Sequence, residues 1–310
     1  MQTILGANGT IASLLAKELL KYTSNIRLVS RNPKRVNEKD ELYPTDLSDS
    51  SNVEKAIEGS KIVYLMVGFE YKISVWRKNW PSLMKATIEA CKKNNAKLVF
   101  FDNVYMYHPS DISSMTEETR YDPQTRKGKV RAEIAQMILD EVATGKLCAI
   151  IARAADFYGP RNEKSIICET VYKPLLKKST VMWFGKKDKN HSFIYTPDAA
   201  KAVAVLGNTN DCYNQTWHLP TDKSALTGTD FVGLFSKEMG LTKAASIFVI
   251  PSWLVGFLGL FDPFMAEMKE MMYQFNDHYY FDSEKFCRRF PDFKVTGYEQ
   301  GIKETIAGSA

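Results

Sequence analysis

The chain has 310 residues, of which 45% are hydrophobic and 25% charged, and its formal net charge is +5. This length allows one large domain or a core domain with a smaller companion. The modest positive charge argues against a dedicated nucleic-acid-binding protein, which would concentrate more charge on one face. The five cysteines are scattered with no CxxC pair and the histidines lack ligand spacing, so we expect reduced thiols, no metal and a cytoplasmic location.

Short apolar runs alternate with helical patterns through the first half of the chain. We expect strands at Thr3–Leu5, Ile26–Val29, Lys61–Met66, Lys97–Phe101 and Cys148–Ala152. Helical spacing of apolar residues predicts helices between them, at 11–22, 53–59 and 80–93, with another beginning near residue 126. This rhythm predicts an α/β fold with a doubly wound, mostly parallel sheet.

Beyond Pro160 the alternation weakens. The stretch 192–206 predicts a strand, a turn at Pro197 and a helix that return to the first domain. We therefore expect a dinucleotide-binding domain over 1–160 with a return segment about 190–220. The rest, 161–189 and 221–310, is expected to form a smaller, mainly helical substrate cap. Its methionines and aromatic residues indicate either a substrate less polar than a nucleotide sugar or the core of the cap itself.

The most hydrophobic stretch is IFVIPSWLVGFLGLF, residues 247–261. Pro251 interrupts it and Asp262 ends it, so it is too short and broken for a membrane span. We expect it to be buried or to line a cleft; contact with a membrane surface is the alternative.

A glycine turn follows the first predicted strand and opens the first predicted helix. The sequence Gly6-Ala7-Asn8-Gly9-Thr10-Ile11-Ala12 places glycines where a turn needs unusual backbone angles and where the backbone must approach a pyrophosphate. The helix N-terminus would supply N–H groups and a partial positive charge. We expect dinucleotide binding here, through Gly6, Asn8, Gly9, Thr10 and Ile11.

The spacing of this turn resembles that of the short-chain dehydrogenase/reductase superfamily, in its extended and atypical branches, which include NAD-dependent epimerases and dehydratases. Further segments follow in the order that this resemblance implies: TDLSD, LMVG, FFDNVYMYH, RKGKVRAE, ARAADFYGP, SFIYTPDAAKA and TWHLP. They cover about two thirds of the chain. The resemblance implies a Rossmann fold and a nicotinamide cofactor.

The end of the second predicted strand bears on the choice between NAD and NADP. NAD-specific sites place a carboxylate here for the ribose 2′-hydroxyl, whereas this chain has Ser30 and Arg31, with Lys34 and Arg35 close behind. A guanidinium can bind a 2′-phosphate through two hydrogen bonds, so we expect NADP rather than NAD. The resemblance implies that Asp46 and Leu47 lie against the adenine. It also implies that Val67 and Gly68 lie beside the adenosine ribose and phosphates.

In the extended branch a Tyr-x-x-x-Lys pair on a helix acts with a Ser or Thr after the preceding strand. The tyrosine exchanges a proton with the substrate while hydride moves, and the lysine stabilises the phenolate and holds the nicotinamide ribose. Counting from Glu133 assigns Lys129 to the lysine and Thr125 to the tyrosine position. Asp102 and Asn103 stand where serines are usual, so the catalytic pattern has changed.

A phenol could come from elsewhere in the chain. Tyr105 is the first candidate for a replacement acid, on the side of Asn103 if the chain stays extended there. Tyr121 and Tyr158 are alternatives, and Tyr158 would also lie near the nicotinamide. Each could instead be a half-buried aromatic residue of the core. We expect Lys127 and Arg131, spaced i and i+4, to face solvent.

Two functional classes remain open. The chain could be an NADP-dependent oxidoreductase or epimerase-like enzyme with a non-standard proton donor, acting on a small carbonyl or hydroxyl substrate that could be apolar. Alternatively it could be a catalytically altered NADP-binding redox sensor or regulatory protein, as NmrA-like proteins are. A standard sugar-nucleotide epimerase is disfavoured by Thr125 and Asn103. We expect no nucleic-acid partner and no membrane span, and a homodimer is one expected assembly.

Overall fold

The computed structural model describes residues 1–162, 165–242 and 245–308, and they form two compact units. The first unit consists of Met1–Met106, Lys127–Ala154 and Ala199–Leu219. The second consists of Tyr107–Arg126 and the described parts of 155–198 and 220–310. Residues 163–164, 243–244 and 309–310 of the predicted cap lie outside the described residues. The first unit includes most of the predicted dinucleotide-binding domain and part of its return segment, whereas Tyr107–Arg126 and residues 155–160 belong to the second unit. The assignment of the units as cofactor domain and substrate cap stays a prediction.

Strands and helices alternate along the described chain. The strands are β1 (Gln2–Leu5), β2 (Ile26–Ser30), β3 (Glu41–Pro44), β4 (Ile62–Leu65), β5 (Lys97–Asp102), β6 (Ala149–Arg153), β7 (Asp156–Tyr158), β8 (Val181–Phe184), β9 (Phe193–Tyr195), β10 (Gln215–His218) and β11 (Ile247–Ile250). The helices are α1 (Thr10–Leu19), α2 (Ser51–Ile57), α3 (Ile73–Lys93), α4 (Arg126–Ala143), α5 (Lys173–Leu176), α6 (Thr196–Gly207), α7 (Gly228–Glu238), α8 (Ser252–Leu258), α9 (Pro263–Met268), α10 (Tyr273–Asn276), α11 (Glu284–Arg289) and α12 (Tyr298–Gly308). Single turns of other helix types occupy Pro109–Ser114, Cys168–Tyr172, Asn210–Cys212 and Lys269–Met271.

The first unit is built on a parallel sheet that, within the described residues, has seven strands in the order β10-β6-β5-β4-β1-β2-β3. The central strands β1, β4, β5 and β6 are mostly buried on both faces, in keeping with their apolar runs, whereas the edge strand β3 is not. The order reverses between β1 and β4, which makes their carboxyl ends the topological switch point where such sheets bind ligands. The predicted doubly wound sheet is therefore confirmed.

Two elements differ from the sequence expectation. Helix α3 begins at Ile73, before the expected Trp80, and carries Pro81 in its interior. The expected return strand is β9, but it pairs with β7 inside the second unit; β10 instead joins the large sheet beside β6. Pro197 lies in the first turn of α6, where a proline needs no N–H partner, so no separate turn forms.

The second unit is mainly helical and packs around an aromatic core. The core includes Tyr158, Trp183, Phe193, Phe231 and Tyr298. Two short parallel strand pairs, β7 with β9 and β8 with β11, complete the described part of this unit.

The expectation that residues 247–261 are buried is wrong for much of this stretch. Val255 is buried, but Trp253, Leu260 and Phe261 are 73%, 74% and 78% exposed. The physical reason is that α8 has only two turns and packs one side inward, which leaves the other side in solvent. Over the described residues, no helix is long and apolar enough to cross a membrane.

Candidate dinucleotide-binding and catalytic site

The glycine turn lies at the carboxyl end of β1, at the switch point of the sheet. Gly6 has φ +89°, a conformation that side-chain-bearing residues rarely adopt. A Cβ at this position would lie 2.8 Å from the backbone of Val67, so the turn runs directly against the segment that follows β4. Only glycine allows both the backbone angle and this close approach.

Helix α1 begins directly after the turn. Gly9 is its N-cap residue and brings no side-chain cap, and the first turn carries no acidic residue. The N–H groups of a helix start, with the helix dipole behind them, form an anion site. Asn8 is exposed and its Nδ2 donates to the Asn32 carbonyl at 2.8 Å, which ties the turn to the loop after β2.

The end of β2 carries the residues expected to select the cofactor. The Ser30 hydroxyl oxygen is buried, with no hydrogen-bond partner among the described residues, and Arg31 is exposed beside it. Hydrogen bonds from Ser48, and to a smaller extent the charge of Arg31, lower the pKa of Asp46. Ser30 pairs with Pro44 at the ends of β2 and β3, so Arg31 and Asp46 follow two adjacent strands at this edge.

The second arginine of this loop has a structural role. Arg35 Nη1 donates to the carbonyl oxygens of Glu38 at 2.8 Å and Asp40 at 2.6 Å. It closes the loop upon itself, so Arg31 is the better candidate for contact with a ligand. Of the remaining predicted cofactor contacts, Leu47 is buried and Gly68 is exposed directly after Val67.

A buried cluster of charges lies at the carboxyl end of β5. Asp102 accepts hydrogen bonds from Arg131 Nε at 2.8 Å and Arg153 Nε at 3.3 Å, and all three side chains are buried. The Arg131 guanidinium also lies 4.6 Å from the ring centre of Trp80 and 4.9 Å from that of Phe100. Pairing and cation–π contact together offset the cost of burying these charges.

The orientation of α4 corrects the expectation that Lys127 and Arg131 face solvent. Lys127 and Arg131 are 0% and 4% exposed, whereas Lys129 between them is exposed. The buried face of α4 continues through Ile134 and Ile138, which lie three and seven residues on from Arg131. Lys127 and Arg131 extend this buried face to the N-terminal end of α4, where Arg131 hydrogen bonds to Asp102.

Lys127 packs against an aromatic cluster on the same unit. Its Nζ lies 4.5 Å from the ring centre of Tyr71, in the segment between β4 and α3. Tyr71 meets Trp76 edge to face at 5.8 Å, and Trp76 stacks on Tyr105 at 6.2 Å. The cluster thus joins a buried ammonium and two phenols at the carboxyl edge of the sheet. Tyr71 is not among the residues predicted from the sequence, where its only signal is a tyrosine that closely follows the fourth strand.

The chain turns immediately after β5. Asn103 Oδ1 accepts a hydrogen bond from the Tyr105 backbone N–H at 3.1 Å, so the chain does not stay extended as the placement of Tyr105 assumed. This local bond occupies the amide oxygen of Asn103 and leaves its Nδ2 as the group that can donate to a ligand.

The other candidate residues belong to the second unit. Thr125 is buried, Tyr121 is half-buried with its ring 6.1 Å from that of Tyr107, and Tyr158 is 1% exposed within the aromatic core. Burial raises the pKa of Tyr158 well above its ordinary value, and its hydroxyl packs against Gly301. A proton-donating or cofactor-binding role for these residues stays a prediction, and the burial of Tyr158 disfavours it.

Comparison with known proteins adds the family. A family model described as the NAD dependent epimerase/dehydratase family matches residues 3–215, more than half of the chain. The chain belongs to this family. A search of curated proteins found no significant match.

Solved structures of sugar-nucleotide enzymes share the fold of this epimerase/dehydratase family member. A double mutant of dTDP-glucose 4,6-dehydratase from Streptomyces venezuelae, with NAD bound, has a TM-score of 0.79 at 15% identity, covering 99% of this chain and 96% of its own. UDP-glucuronic acid 4-epimerase from Bacillus cereus, in complex with UDP-glucuronic acid and NAD, has a TM-score of 0.79 at 16% identity, covering 99% and 98%. UDP-N-acetylglucosamine 4-epimerase from Bacillus cereus has a TM-score of 0.76 at 15% identity, covering 98% and 94%.

Proposed function

We propose that this protein is a cytoplasmic NADP-dependent oxidoreductase or epimerase-like enzyme that acts on a small carbonyl or hydroxyl substrate. One observation carries the proposal: the Lys127 ammonium lies over the phenol ring of Tyr71 at the sheet edge that also bears the glycine turn. The turn accounts for dinucleotide binding, and the Lys127–Tyr71 pair offers acid–base chemistry beside it.

The residues present fit a dinucleotide. The backbone at Gly6 and Gly9 would approach the pyrophosphate, and the α1 N-terminus would hold its charge. The buried Ser30 hydroxyl, which has no hydrogen-bond partner in the described part of the chain, would hydrogen bond to the adenosine ribose. When bound, the dinucleotide supplies or accepts the hydride.

A preference for NADP over NAD is supported by Arg31. No carboxylate stands at the end of β2 to accept the 2′-hydroxyl hydrogen bonds of NAD, and an exposed guanidinium would be left facing that ribose. The solved structures with NAD bound are only 15% and 16% identical to this chain. The preference is thus a proposal about this chain's own residues.

We propose Lys127, rather than Lys129, as the lysine that holds the nicotinamide ribose. Lys127 begins the inward face of α4, whereas Lys129 points to solvent. A buried ammonium is costly and is found most often where function requires it.

The proton donor in this proposal is Tyr71, and Tyr105 is the alternative. A positive charge beside a phenol stabilises its phenolate form, which is what proton transfer to and from a substrate oxygen requires. Asn103 would orient that oxygen through its Nδ2. Tyr105, stacked on Trp76, could take the acid role if it lies nearer the substrate.

The sensor function remains the second candidate because neither lysine is preceded by the family tyrosine. Pro123 stands four residues before Lys127 and Thr125 four residues before Lys129. A protein that has lost this acid without a replacement would bind the dinucleotide but would not convert a substrate.

The test is consumption of NADPH, followed by absorbance, with a panel of small aldehydes and ketones. We expect turnover by the natural protein, a loss of at least about a hundredfold in Tyr71→Phe, as for removal of a general acid, and a comparable loss in Lys127→Ala. Lys129→Ala is the matched control on the exposed face and should keep its rate. Tight NADPH binding without turnover of any compound would favour the sensor, and a loss confined to Tyr105→Phe would move the acid to Tyr105.

A further inference from the structure

A group of large apolar side chains on β8, β11, α8 and α9 of the second unit is exposed. We call it the apolar face, and its members are large side chains between 39% and 78% exposed: Met182, Phe248, Trp253, Phe257, Leu260, Phe261 and Phe264. Folding normally buries side chains of this size, and an exposed group of them marks an interaction surface.

The members of the apolar face are held together by regular structure. Met182 and Phe248 are register partners on the paired strands β8 and β11. Trp253 and Phe257 are four residues apart on α8, and the Phe257 and Phe261 rings lie 5.8 Å apart. A Cβ at Gly259 would lie 2.9 Å from the Ala266 backbone, so α8 and α9 form a tight hairpin with Leu260 and Phe261 at its tip.

Exposed lysines flank the elements that carry the apolar face. Strand β8 is preceded by Lys177 and Lys178 and followed by Lys186 and Lys187, all exposed, and Lys269 approaches α8 at Gly256. The Gly185 N–H donates to the Ile250 carbonyl at 3.0 Å, which places Lys186 beside the start of α8 and so near Trp253. The exposed carboxylates in these segments are Asp188 and Asp262, and Asp262 caps α9 by accepting from the Met265 N–H. The surroundings of the apolar face therefore carry an excess of positive charge.

We propose that the apolar face docks onto the surface of a bilayer that contains anionic phospholipids. Tryptophan and phenylalanine favour the boundary between headgroups and acyl chains, and lysines around them attract anionic headgroups. The Leu260–Phe261 tip would enter the acyl region while the lysines stay at the headgroups. A second copy of this chain fits less well, because protein interfaces are depleted in lysine and two copies would bring the same positive rims together. The dinucleotide site plays no part in this docking.

Tryptophan fluorescence offers a direct test. The other four tryptophans (Trp76, Trp80, Trp183 and Trp217) are buried, so a change on adding vesicles reports Trp253. We expect a blue shift with vesicles of phosphatidylcholine and phosphatidylglycerol in low salt, a smaller one with phosphatidylcholine alone, and none in Trp253→Phe. A spectrum unchanged by the anionic vesicles would overturn the proposal.

Cosedimentation with the same vesicles tests the tip and the lysines separately. We expect the Leu260→Ser/Phe261→Ser variant to partition onto the vesicles at least about tenfold less, since two large apolar side chains are lost. In the Lys186→Gln/Lys187→Gln variant, vesicle binding should lose most of its dependence on salt. Leu20→Ser, a half-exposed leucine on the first unit, is the matched control and should bind normally. If the tip variant instead binds vesicles normally and dissociates a dimer in analytical ultracentrifugation, the face is an interface between copies and the proposal fails.

Discussion

Arg131 Nε lies 2.8 Å from a carboxylate oxygen of Asp102, and both side chains are buried. The pair joins the start of α4 to the carboxyl end of β5, so it fixes Lys127 and Asn103 on their two elements. The first prediction follows from this pair.

We expect Arg131→Met to lower the free energy of unfolding by about 3 kcal/mol or more, because it leaves the buried Asp102 with less compensation. Lys129→Met, two residues away on the exposed face, should change it by no more than about 0.5 kcal/mol. Urea titration measures both. In the double variant Asp102→Asn/Arg131→Met the loss should be smaller than the sum of the single losses; strict additivity would mean that the two residues do not interact.

The glycine turn gives a second prediction, with a matched glycine as its control. Gly6 and Gly145 both have positive φ, +89° and +70°, but a Cβ at position 145 would meet nothing within 4 Å. We expect Gly145→Ala to cost about 1–2 kcal/mol from the backbone angle alone. Gly6→Ala should cost more and should abolish NADPH binding, measured by calorimetry, because Cβ overlaps the Val67 backbone. Equal costs in the two variants and intact binding in Gly6→Ala would contradict the assignment.

Arg31 is expected to set the choice of cofactor. Arg31→Ala should raise the Kd for NADPH by about tenfold to a hundredfold, which corresponds to hydrogen bonds to a charged phosphate, and leave the Kd for NADH nearly unchanged. Arg35→Ala should reduce thermal stability instead, because Arg35 closes its own loop. Isothermal titration with both cofactors separates the two effects. Equal losses for NADPH and NADH would show that Arg31 does not contact the 2′-phosphate.

Alkaline pH should destabilise the protein through a buried thiol. Burial raises the pKa of Cys91 to about 12, whereas an unfolded cysteine ionises at about 8.5. Because the folded-state pKa is raised, the stabilisation is complete below the unfolded value and is lost as the pH rises toward 12. The unfolded state releases the proton first, at a cost to stability of roughly 1.4 kcal/mol per pH unit.

Urea unfolding between pH 8 and 10.5 tests this slope. We expect Cys91→Ala to flatten it by about one proton, whereas Cys148→Ala, at a half-buried position where burial raises the thiol pKa less, should flatten it less. Parallel slopes for the natural protein and Cys91→Ala would rule out Cys91 as the source.

The sheet and the glycine turn could be predicted from the sequence because local patterns determine them. Buried strands read as apolar runs, and a strand-glycine-helix junction has few other uses. The register of α4 could not be predicted in the same way. Charged side chains normally face solvent, so the sequence predicts that Lys127 and Arg131 are exposed. Their burial is explained only by tertiary contacts with Asp102 and with the rings of Trp80 and Tyr71.

The exposure of the apolar stretch 247–261 could not be predicted from the sequence either, for the opposite reason. Hydrophobicity predicts burial, but whether a two-turn helix finds a partner for both of its sides depends on tertiary packing. The close approach of Gly259 to Ala266 folds α8 onto α9, and the side that carries Trp253 and Phe257 is left exposed.

The most direct measurement is a crystal structure of the protein with NADPH bound. We expect the pyrophosphate against the Gly6–Gly9 turn, the 2′-phosphate at Arg31, and a ribose hydroxyl on the nicotinamide side within hydrogen-bonding distance of Lys127 Nζ. Tyr71 or Tyr105 should present its hydroxyl toward the nicotinamide. A dinucleotide that lies elsewhere, or a nicotinamide ribose held by Lys129 with Lys127 remote from it, would contradict the proposed site.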